Sequence, residues 1–259
     1  ADLPLSLRLI REIHAILMDG VRGTNKTPGE FRTSQNWIGG RAPGDAQFVP
    51  PPIDEMKSAL DDLEKFLYRS DPQLIPALLE CAMVHYQFET IHPFLDGNGR
   101  VGRLLIPLIA IERGRLTHPL LYLSAYFEKN REEYYDRLME VSQTGQWDNW
   151  FAFFLKGASE QAADAIQRAE QVLALHHQYT SLDLSKTARR VIEMIFDNPF
   201  LTIKWVSEKA QVSGVSAGAA VRQLVDTGIL RPHPPIRERG QVYVARVLLD
   251  TYTVQLKQS

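Results

Sequence analysis

Residues 92–103 contain the side chains of this sequence that are best suited to chemistry on a phosphate. The segment reads HPFLDGNGRVGR and directly precedes the apolar run Leu104–Ile111. Glycines at 97 and 99 allow the backbone to turn so that successive N–H groups point the same way. The N-terminus of the helix that follows adds partial positive charge at the same place. We therefore predict an anion-binding turn at the start of a helix.

Four charged or titratable side chains in this segment could serve that site. Arg100 and Arg103 are three residues apart in the first turn of the predicted helix, so they share a face and could reach one anion. Asp96 could hold a divalent metal ion against the anion. His92 is the one group in the segment that can take up a proton near neutral pH, which makes it the candidate general base.

At these positions the sequence resembles the Fic family, whose motif is HxFx(D/E)GNGRxxR, and each specified position is matched. The resemblance implies a protein adenylyltransferase, which transfers AMP from ATP to a Ser, Thr or Tyr hydroxyl of a target protein. It implies His92 as the general base and Asp96 as the ligand of Mg²⁺. The nucleotide-binding residues that it implies are Gly97, Asn98, Gly99, Arg100, Val101, Gly102, Arg103 and Tyr135. For Tyr135, packing in the core is the alternative, whereas Phe94 is expected to anchor the loop in the core.

The segment before the motif predicts a β-hairpin. The pieces GEFRTSQNWIGG and AQFVPPP are joined by the turn-rich RAPGD, and three prolines at 50–52 end the pattern. From about Thr33 to Phe48 this hairpin resembles the flap on which Fic enzymes lay an extended stretch of their target. We therefore expect a target protein to dock there by backbone pairing.

Many Fic enzymes also carry an inhibitory helix, (S/T)xxxE(G/N), whose glutamate pairs with the second arginine of the motif, here Arg103. No glutamate in this sequence is followed by Gly or Asn. The helix could lie upstream of Ala1, a partner protein could supply the glutamate, or the enzyme could be unregulated. The start without Met, in what reads as the middle of a domain, favours the first explanation. As given, the chain is expected to be free of this inhibition.

Two other functions stay open at this point. The first is transfer of phosphate or of a different nucleotide, although relatives that phosphorylate depart from GNGR at the second glycine, here Gly99. The second is a DNA-binding regulator in which the Fic unit only senses a nucleotide.

The motif needs helices to position it, and apolar residues at helical spacing predict them. A capping pair, Asn130 and Glu133, is expected to open one of them. The alanine-rich second half of the last helix could pack on its own chain or on a partner helix, as in a homodimer. The predicted helices cover residues 5–19, 54–68, 71–88, 98–111, 130–142 and 147 to beyond 173.

A second unit is predicted at residues 187–259. Its pattern is helix (188–196), helix (202–210) and helix (215–227), then two strands (229–231 and 241–246), which is typical of a winged helix. It contains ten Lys and Arg against six Asp and Glu, a net charge of +4, while the whole chain has −2. This excess permits DNA binding with Arg222 as the obvious reader, but winged helices also serve as dimerisation modules.

Composition limits the class of protein. The chain has 259 residues, of which 44 % are hydrophobic, and its net charge of −2 indicates no general affinity for nucleic acid or membranes. The longest apolar run is too short for a membrane span, and no signal peptide is visible. The one cysteine, Cys81, fits a reducing compartment. We therefore expect a mainly α, cytoplasmic protein with no membrane partner, consisting of a Fic domain (1–178) and a winged-helix domain (187–259).

Overall fold

The computed structural model describes residues 5–19, 27–69, 71 and 74–252. The chain divides into two compact units, Ala1–Ala162 and Ala163–Ser259. The division falls inside one helix, α7 (Asp148–Thr180), rather than in the segment between 178 and 187 where the sequence predicts it. The reason is that apolar residues early in α7 belong to the hydrophobic core of the first unit, whereas later ones belong to that of the second unit. The helix itself is continuous.

The first unit is a helical domain whose central elements are two consecutive helices that hold the motif between them. α3 (Ala77–Ile91) is buried on several sides, as is α4 (Asn98–Glu112), which contains Pro107 in its interior. A fully buried tryptophan of α7, Trp150, donates from its indole N–H to the carbonyl oxygen of Ala82 over 3.1 Å. The helices of this unit are α1 (Leu7–Met18), α2 (Ile53–Leu67), α3 (Ala77–Ile91), α4 (Asn98–Glu112), α5 (Ser124–Lys129) and α6 (Arg131–Thr144), followed by the start of α7.

Three local predictions for this unit need correction. α3 begins at Ala77, after Pro76, and not near residue 71; Ser70 and Pro72, considered as its start, lie outside the described residues. The helix α5 was not predicted. The side chain of Asn130 makes no capping hydrogen bond to α6, because its amide nitrogen donates to the carbonyl oxygen of Tyr126 over 2.8 Å.

The predicted hairpin is present but short. Its two arms form one antiparallel bridge between Ile38 and Phe48, in which the N–H of Ile38 donates to the carbonyl oxygen of Phe48 over 2.9 Å. A 3-10 turn at Pro43–Asp45 connects the arms. The Asp45 carboxylate accepts from the backbone N–H groups of Arg41 and Ala42, so the turn is held by its own side chain. We call residues 33–48 the flap.

A buried ion cluster supports α3 near its N-terminal end, in the first turn. Glu80 has no exposed surface and accepts hydrogen bonds from Arg69 and from Arg113, each at 2.8–2.9 Å in its shortest contact. Burial raises the pKa of the Glu80 carboxyl, but the hydrogen bonds from Arg69 and Arg113 hold it below its usual value. The carboxylate is therefore ionised and compensates two nearby guanidinium groups.

Replacing Glu80 by glutamine is expected to lower the free energy of unfolding by about 3–5 kcal/mol, because both arginines then lose their counter-charge. Urea denaturation of the two proteins measures the difference. Glu12→Gln is the matched control, since Glu12 pairs with Arg8 on the surface, where the two side chains are 45 % and 83 % exposed. The control is expected to change stability by less than about 1 kcal/mol. Equal effects in the two variants would contradict the assignment.

The second unit contains the three helices that the sequence predicts. The predicted strand at 241–246 corresponds to β3 (Val242–Val244), whereas the one predicted at 229–231 is displaced to β2 (Arg231–Pro232). Two further elements are not predicted, β1 (Phe200–Thr202) and α11 (Arg246–Tyr252). β1 follows Pro199 directly and pairs with β3 in an antiparallel sheet of order β1-β3-β2. Identification as a winged helix, and binding of DNA or a second copy through it, stay predictions. The elements are α8 (Lys186–Asp197), β1 (Phe200–Thr202), α9 (Ile203–Ala210), α10 (Gly214–Asp226), β2 (Arg231–Pro232), β3 (Val242–Val244) and α11 (Arg246–Tyr252).

Each helix in the described ranges is too short or too polar to cross a lipid bilayer. The sulfur atom of Cys81 is buried in the first core, where burial raises the pKa of the thiol to about 12. This cysteine is therefore a packing residue and not a reactive thiol.

Candidate active site

His92 stands at the junction between α3 and the loop that leads to α4. It ends α3 in a left-handed conformation (φ 49°, ψ 59°), which few residues other than glycine adopt. Its N–H donates to the carbonyl oxygen of Phe88 over 3.0 Å, and its own carbonyl oxygen accepts from Arg32 Nε over 3.0 Å. The backbone at His92 is thus fixed from both sides, which fixes the direction of the imidazole.

The hydrogen bonding of the His92 ring leaves one nitrogen able to act as a base. Nδ1 lies 3.2 Å from the carbonyl oxygen of Glu89. A carbonyl oxygen can only accept, so Nδ1 carries the proton in this bond and Nε2 keeps its lone pair. Burial lowers the pKa of His92 to about 4, and the Glu89 carbonyl and Asp96 oppose this only partly. The ring is therefore neutral at physiological pH.

The loop between His92 and α4 is closed by the side chain of Asn98. Its amide oxygen accepts from the N–H of Phe94 over 2.8 Å, and its amide nitrogen donates to the carbonyl oxygen of Phe94, also over 2.8 Å. Asn98 is buried, and Phe94 is fully buried as predicted. The Asn98 side chain thus shapes the loop, and only its backbone N–H is left as a candidate contact for a nucleotide.

The two glycines of the turn have different roles. Gly97 precedes α4 in the left-handed region (φ 82°), and a Cβ atom there would lie 3.1 Å from Met18 Sδ. A Cβ on Gly99 would lie 3.0 Å from a terminal nitrogen of Arg103, so this glycine gives space to the guanidinium group. The first backbone N–H groups of a helix lack partners within it, so those of α4 stay the predicted anion site.

Two residues of the predicted nucleotide-binding set pack against the core, and their contact with a nucleotide stays a prediction. Val101 is fully buried, and its N–H donates to the carbonyl oxygen of Gly97 over 3.0 Å. Gly102 packs against α3, where a Cβ atom would lie 2.5 Å from Glu89 Oε1. Val101 and Gly102 lie on the side of α4 that meets the core, and not on the side that meets the turn.

The two arginines of the motif have different neighbours. Arg100 contacts the end of α1, with one terminal nitrogen 3.4 Å from the carbonyl oxygen of Leu17 and the other 3.1 Å from Met18 Sδ. Arg103 lies over Gly99, and its charge acts on Glu89. That the two side chains reach one anion, and neutralise the β- and γ-phosphates of a nucleotide, stays a prediction.

Asp96 is the one carboxylate in the turn, half-buried beside the helix start. Its Oδ1 accepts from the N–H of Gly97 over 2.7 Å, which fixes the carboxylate against the backbone. Among the described residues, no group of three His, Cys, Asp or Glu side chains is arranged as a ready-made metal site. A single fixed carboxylate next to an anion site nevertheless fits Mg²⁺, which takes one or two carboxylates and completes its shell with phosphate oxygens and water.

His14 on α1 positions the loop, and sequence reasoning missed it. Its Nε2 donates to the carbonyl oxygen of Asp96 over 3.0 Å, and its Nδ1 accepts from the N–H of Gly29 over 2.8 Å. Its ring stacks on Phe94 with centroids 3.7 Å apart. Burial lowers the pKa of His14, with Arg100 acting in the same direction, so the neutral tautomer with these two bonds is favoured. A single histidine on an amphipathic helix carries no signal for this role.

Arg32 was also missed, and it ties the base of the flap to the motif. The side chain is 1 % exposed and donates to the carbonyl oxygens of His92, Ser34 and Pro51. The backbone N–H of Arg32 donates to the carbonyl oxygen of Pro93 over 2.8 Å. The flap therefore starts from a backbone position that is fixed relative to His92.

Tyr135 lies at a pocket next to the motif. The flap, the end of α3 and α6 enclose this pocket, and the lining includes Ile38, Phe48, Leu138 and Ser142 besides Tyr135. Tyr135 is 44 % exposed, so the alternative of a core residue is wrong for it, whereas the neighbouring Tyr134 is buried. Mostly apolar walls with an aromatic ring and a few polar groups are typical of a site for a small planar ligand.

The stability of the first unit is expected to fall as the pH is lowered from about 6.5 toward about 4. His85 is buried with its Nε2 3.0 Å from the Tyr134 hydroxyl, and burial lowers its pKa from 6.5 to about 4, the same value as for His92. Because the unfolded chain takes up protons first, the neutral rings stabilise the fold above pH 6.5, and this contribution is lost as the pH falls. Urea denaturation at pH 7.5, 6 and 5 measures it. An unchanged free energy of unfolding over this range would contradict these pKa values.

A family profile and several curated proteins are similar to this chain. The profile described as Fic/DOC family matches residues 4–110. The protein adenylyltransferase Fic of Aedes aegypti is 28 % identical over 221 residues, covering 84 % of this chain and 38 % of the relative. That of Culex quinquefasciatus is 30 % identical over 142 residues, covering 54 % of this chain and 25 % of the relative. The chain thus spans well under half the length of these curated relatives.

Solved structures agree in fold. A Fic family protein from Desulfovibrio desulfuricans G20 superposes with a TM-score of 0.55 at 20 % identity, covering 95 % of this chain and 70 % of that chain. Fic-1 (residues 134–508) from C. elegans gives a TM-score of 0.51 at 25 % identity, covering 64 % and 44 %. Together with the family profile, these similarities place the motif in the same kind of helical domain.

Proposed function

We propose that this chain, which matches the Fic/DOC family profile over residues 4–110, is a protein adenylyltransferase, which moves AMP from ATP to a hydroxyl group of a target protein. The observation that carries the proposal is the state of His92. It is a neutral imidazole whose Nδ1 is bound to the Glu89 carbonyl, so that Nε2 is free to take a proton beside the anion-binding turn. The curated relatives that match the chain are named as protein adenylyltransferases, which supports the same reaction.

The reaction needs a base, an acceptor and a held triphosphate. The target hydroxyl gives its proton to His92 Nε2 as its oxygen attacks the α-phosphorus of ATP. A new oxygen–phosphorus bond forms, the bond between the α-phosphorus and its bridging oxygen breaks, and pyrophosphate leaves with the electron pair. A base with a low pKa is weak in solution, but positioning and charge stabilisation supply most of the acceleration in phosphoryl-type transfers.

The turn and the arginines would hold the triphosphate. The backbone N–H groups at 98–100 bind phosphate oxygens at the helix N-terminus, where the helix dipole adds to the attraction. Arg100, beside the end of α1, and Arg103, beside Gly99, neutralise the β- and γ-phosphates of ATP. Asp96 would hold Mg²⁺, which when bound neutralises charge on the α- and β-phosphates.

The pocket beside Tyr135 would take the nucleoside. It adjoins the turn through α3 and α4, because its lining residue Glu89 packs on Gly102 in the first turns of α4. An apolar pocket with an aromatic ring suits a nucleobase. ATP bound in this way would extend from the pocket to the helix start.

The flap would hold the target. Its base is fixed by Arg32, and Asn36 donates from its amide to the carbonyl oxygen of Phe94 over 3.0 Å. The two arms pair at one bridge only, so backbone groups along the outer arm are available for pairing with an extended segment. Such docking depends little on the target's sequence.

The direct test is mass spectrometry of a cell extract incubated with the purified chain, ATP and Mg²⁺. We expect a protein that gains AMP on a Ser, Thr or Tyr, and no such gain in an incubation without the chain. Gain of phosphate in place of AMP would instead support the rival reaction.

A further inference from the structure

One titratable group at the site has no role in the reaction as described. Glu89 belongs to α3, one turn before His92, and it is the only charged side chain among the described residues that line the pocket beside Tyr135. The walls around it are mostly apolar, with Ile38, Phe48 and Leu138 among them. A carboxylate in such a place is costly unless it binds something.

One oxygen of this carboxylate has no hydrogen-bond partner. Glu89 Oε1 is buried, packs against Gly102 and has no hydrogen-bond partner in the described part of the chain. Buried acceptors are nearly always paired, so this carboxylate is poorly satisfied by the protein. The same side chain lines the pocket, where a donor of a bound molecule can reach the carboxylate.

The neighbouring helix makes room for Glu89. A Cβ atom on Gly102 would lie 2.5 Å from Glu89 Oε1, closer than a side chain can stand. Any larger residue at 102 would therefore push the carboxylate out of its position. Burial raises the pKa of Glu89 to about 7, and the positive charge of Arg103 opposes the rise. At slightly alkaline pH the group is thus ionised and accepts hydrogen bonds strongly.

We propose that Glu89 is a specificity-determining residue, which accepts a hydrogen bond from a hydroxyl or amino group of the nucleoside bound beside Tyr135. The inference rests on the proposed function, because it takes the pocket to be the nucleoside site. ATP offers such donors on its ribose, at the 2′ and 3′ hydroxyls, and on its base, at the 6-amino group. A site built to bind a donor rejects analogues that lack it far more strongly than an apolar pocket does.

The test compares ATP with three analogues that each lack one donor: 2′-deoxy-ATP, 3′-deoxy-ATP and ITP. At pH 8, the wild-type chain is expected to prefer ATP over one of them by at least about 10-fold in kcat/KM, the effect of a hydrogen bond to a charged group. Glu89→Met, which has similar length but no acceptor, should lose about the same factor with ATP, mainly through KM. The Glu89→Met variant should use ATP and the analogue that the wild type disfavours equally well.

Two further variants separate recognition from folding. Glu89→Gln keeps an acceptor and should recover part of the preference, while Gly102→Ala leaves Glu89 in place but should displace its carboxylate and weaken the preference. Glu128→Met is the matched control, because Glu128 is a surface residue with 72 % of its side chain exposed, and it should behave as the wild type. Melting curves of all variants confirm that they fold.

Two results would overturn the inference: no discrimination by the wild-type chain among the four nucleotides, or the same discrimination in Glu89→Met as in the wild type. Calorimetric measurement of the binding of the same four nucleotides separates a failure of this inference from a failure of the proposed reaction. Selective binding that depends on Glu89, without AMP transfer, would support the role of Glu89 and contradict the adenylyltransferase. AMP transfer without any dependence on Glu89 would support the adenylyltransferase and contradict the role of Glu89.

Discussion

Replacing His92 by alanine is expected to lower the rate of AMP transfer by about 10²- to 10⁴-fold, the range that a positioned general base contributes. The fold should remain intact, because the hydrogen bonds that fix residue 92 are made by its backbone: its N–H to Phe88 and its carbonyl oxygen from Arg32. The measurement is the initial rate of AMP incorporation at saturating ATP, with circular dichroism to verify the fold.

The matched control is His118→Ala, because His118 is an exposed histidine outside the site. It should leave the rate unchanged. A folded His92→Ala protein with nearly the wild-type rate would exclude His92 as the base.

The pH dependence of the same rate gives a second check on His92. Burial lowers its pKa to about 4, so the ring stays neutral far below the ordinary histidine value of 6.5. In Glu89→Gln, in which residue 89 no longer titrates, the acid limb of kcat/KM, which reports groups of the free enzyme, should therefore fall near pH 4–5 and not near 6.5. Rates must be taken at times short enough to precede the acid unfolding expected for this unit. An acid limb centred at 6.5 would contradict the buried, neutral base.

Replacing His14 by phenylalanine is expected to weaken both the fold and the reaction, although His14 need not touch a substrate. The new ring can keep the stack on Phe94, but the N–H of Gly29 and the carbonyl oxygen of Asp96 lose their partners. Each lost partner of this kind costs about 1–3 kcal/mol in the free energy of unfolding. A shift of the loop by about 1 Å could lower the rate of AMP transfer about 100-fold.

Urea denaturation and initial rates measure the two effects of His14→Phe. A positioning role predicts that the rate remains low at a temperature and urea concentration at which the variant is fully folded. His177→Phe is a suitable control, since His177 lies on α7 outside the first unit. If His14→Phe lost stability but kept its full rate when folded, His14 would be a core residue without influence on the loop.

The helices and the motif could be predicted because their signals are local. Apolar spacing placed five of the six helices of the first unit, and two glycines with two arginines indicated the turn that starts α4. The short helix α5 escaped because its 6 residues are too few to show periodicity. The start of α3 was misplaced because Asp71 and Pro72 form a plausible helix start that the chain does not use.

The contacts that position the site could not be predicted, because they join residues that are far apart in sequence. His14 meets Asp96 across 82 residues, and Arg32 meets His92 across 60. No sequence motif around His14 or Arg32 indicates a role at the site. The capping role of Asn130 failed for a similar reason, because a carbonyl oxygen in α5, an element that was not foreseen, competes for its amide. The contact of Arg100 with the end of α1 likewise joins residues 83 positions apart.

The central claim is that this chain transfers AMP and not phosphate, and two forms of labelled ATP test it most directly. The chain is incubated with a protein extract and Mg²⁺, once with α-³²P-ATP and once with γ-³²P-ATP, and each reaction is repeated with His92→Ala. The account predicts that label from α-³²P-ATP becomes attached to protein in the wild-type reaction alone. Label from γ-³²P-ATP beyond the amount that the extract incorporates without the chain, or α-label that persists in His92→Ala, would contradict it.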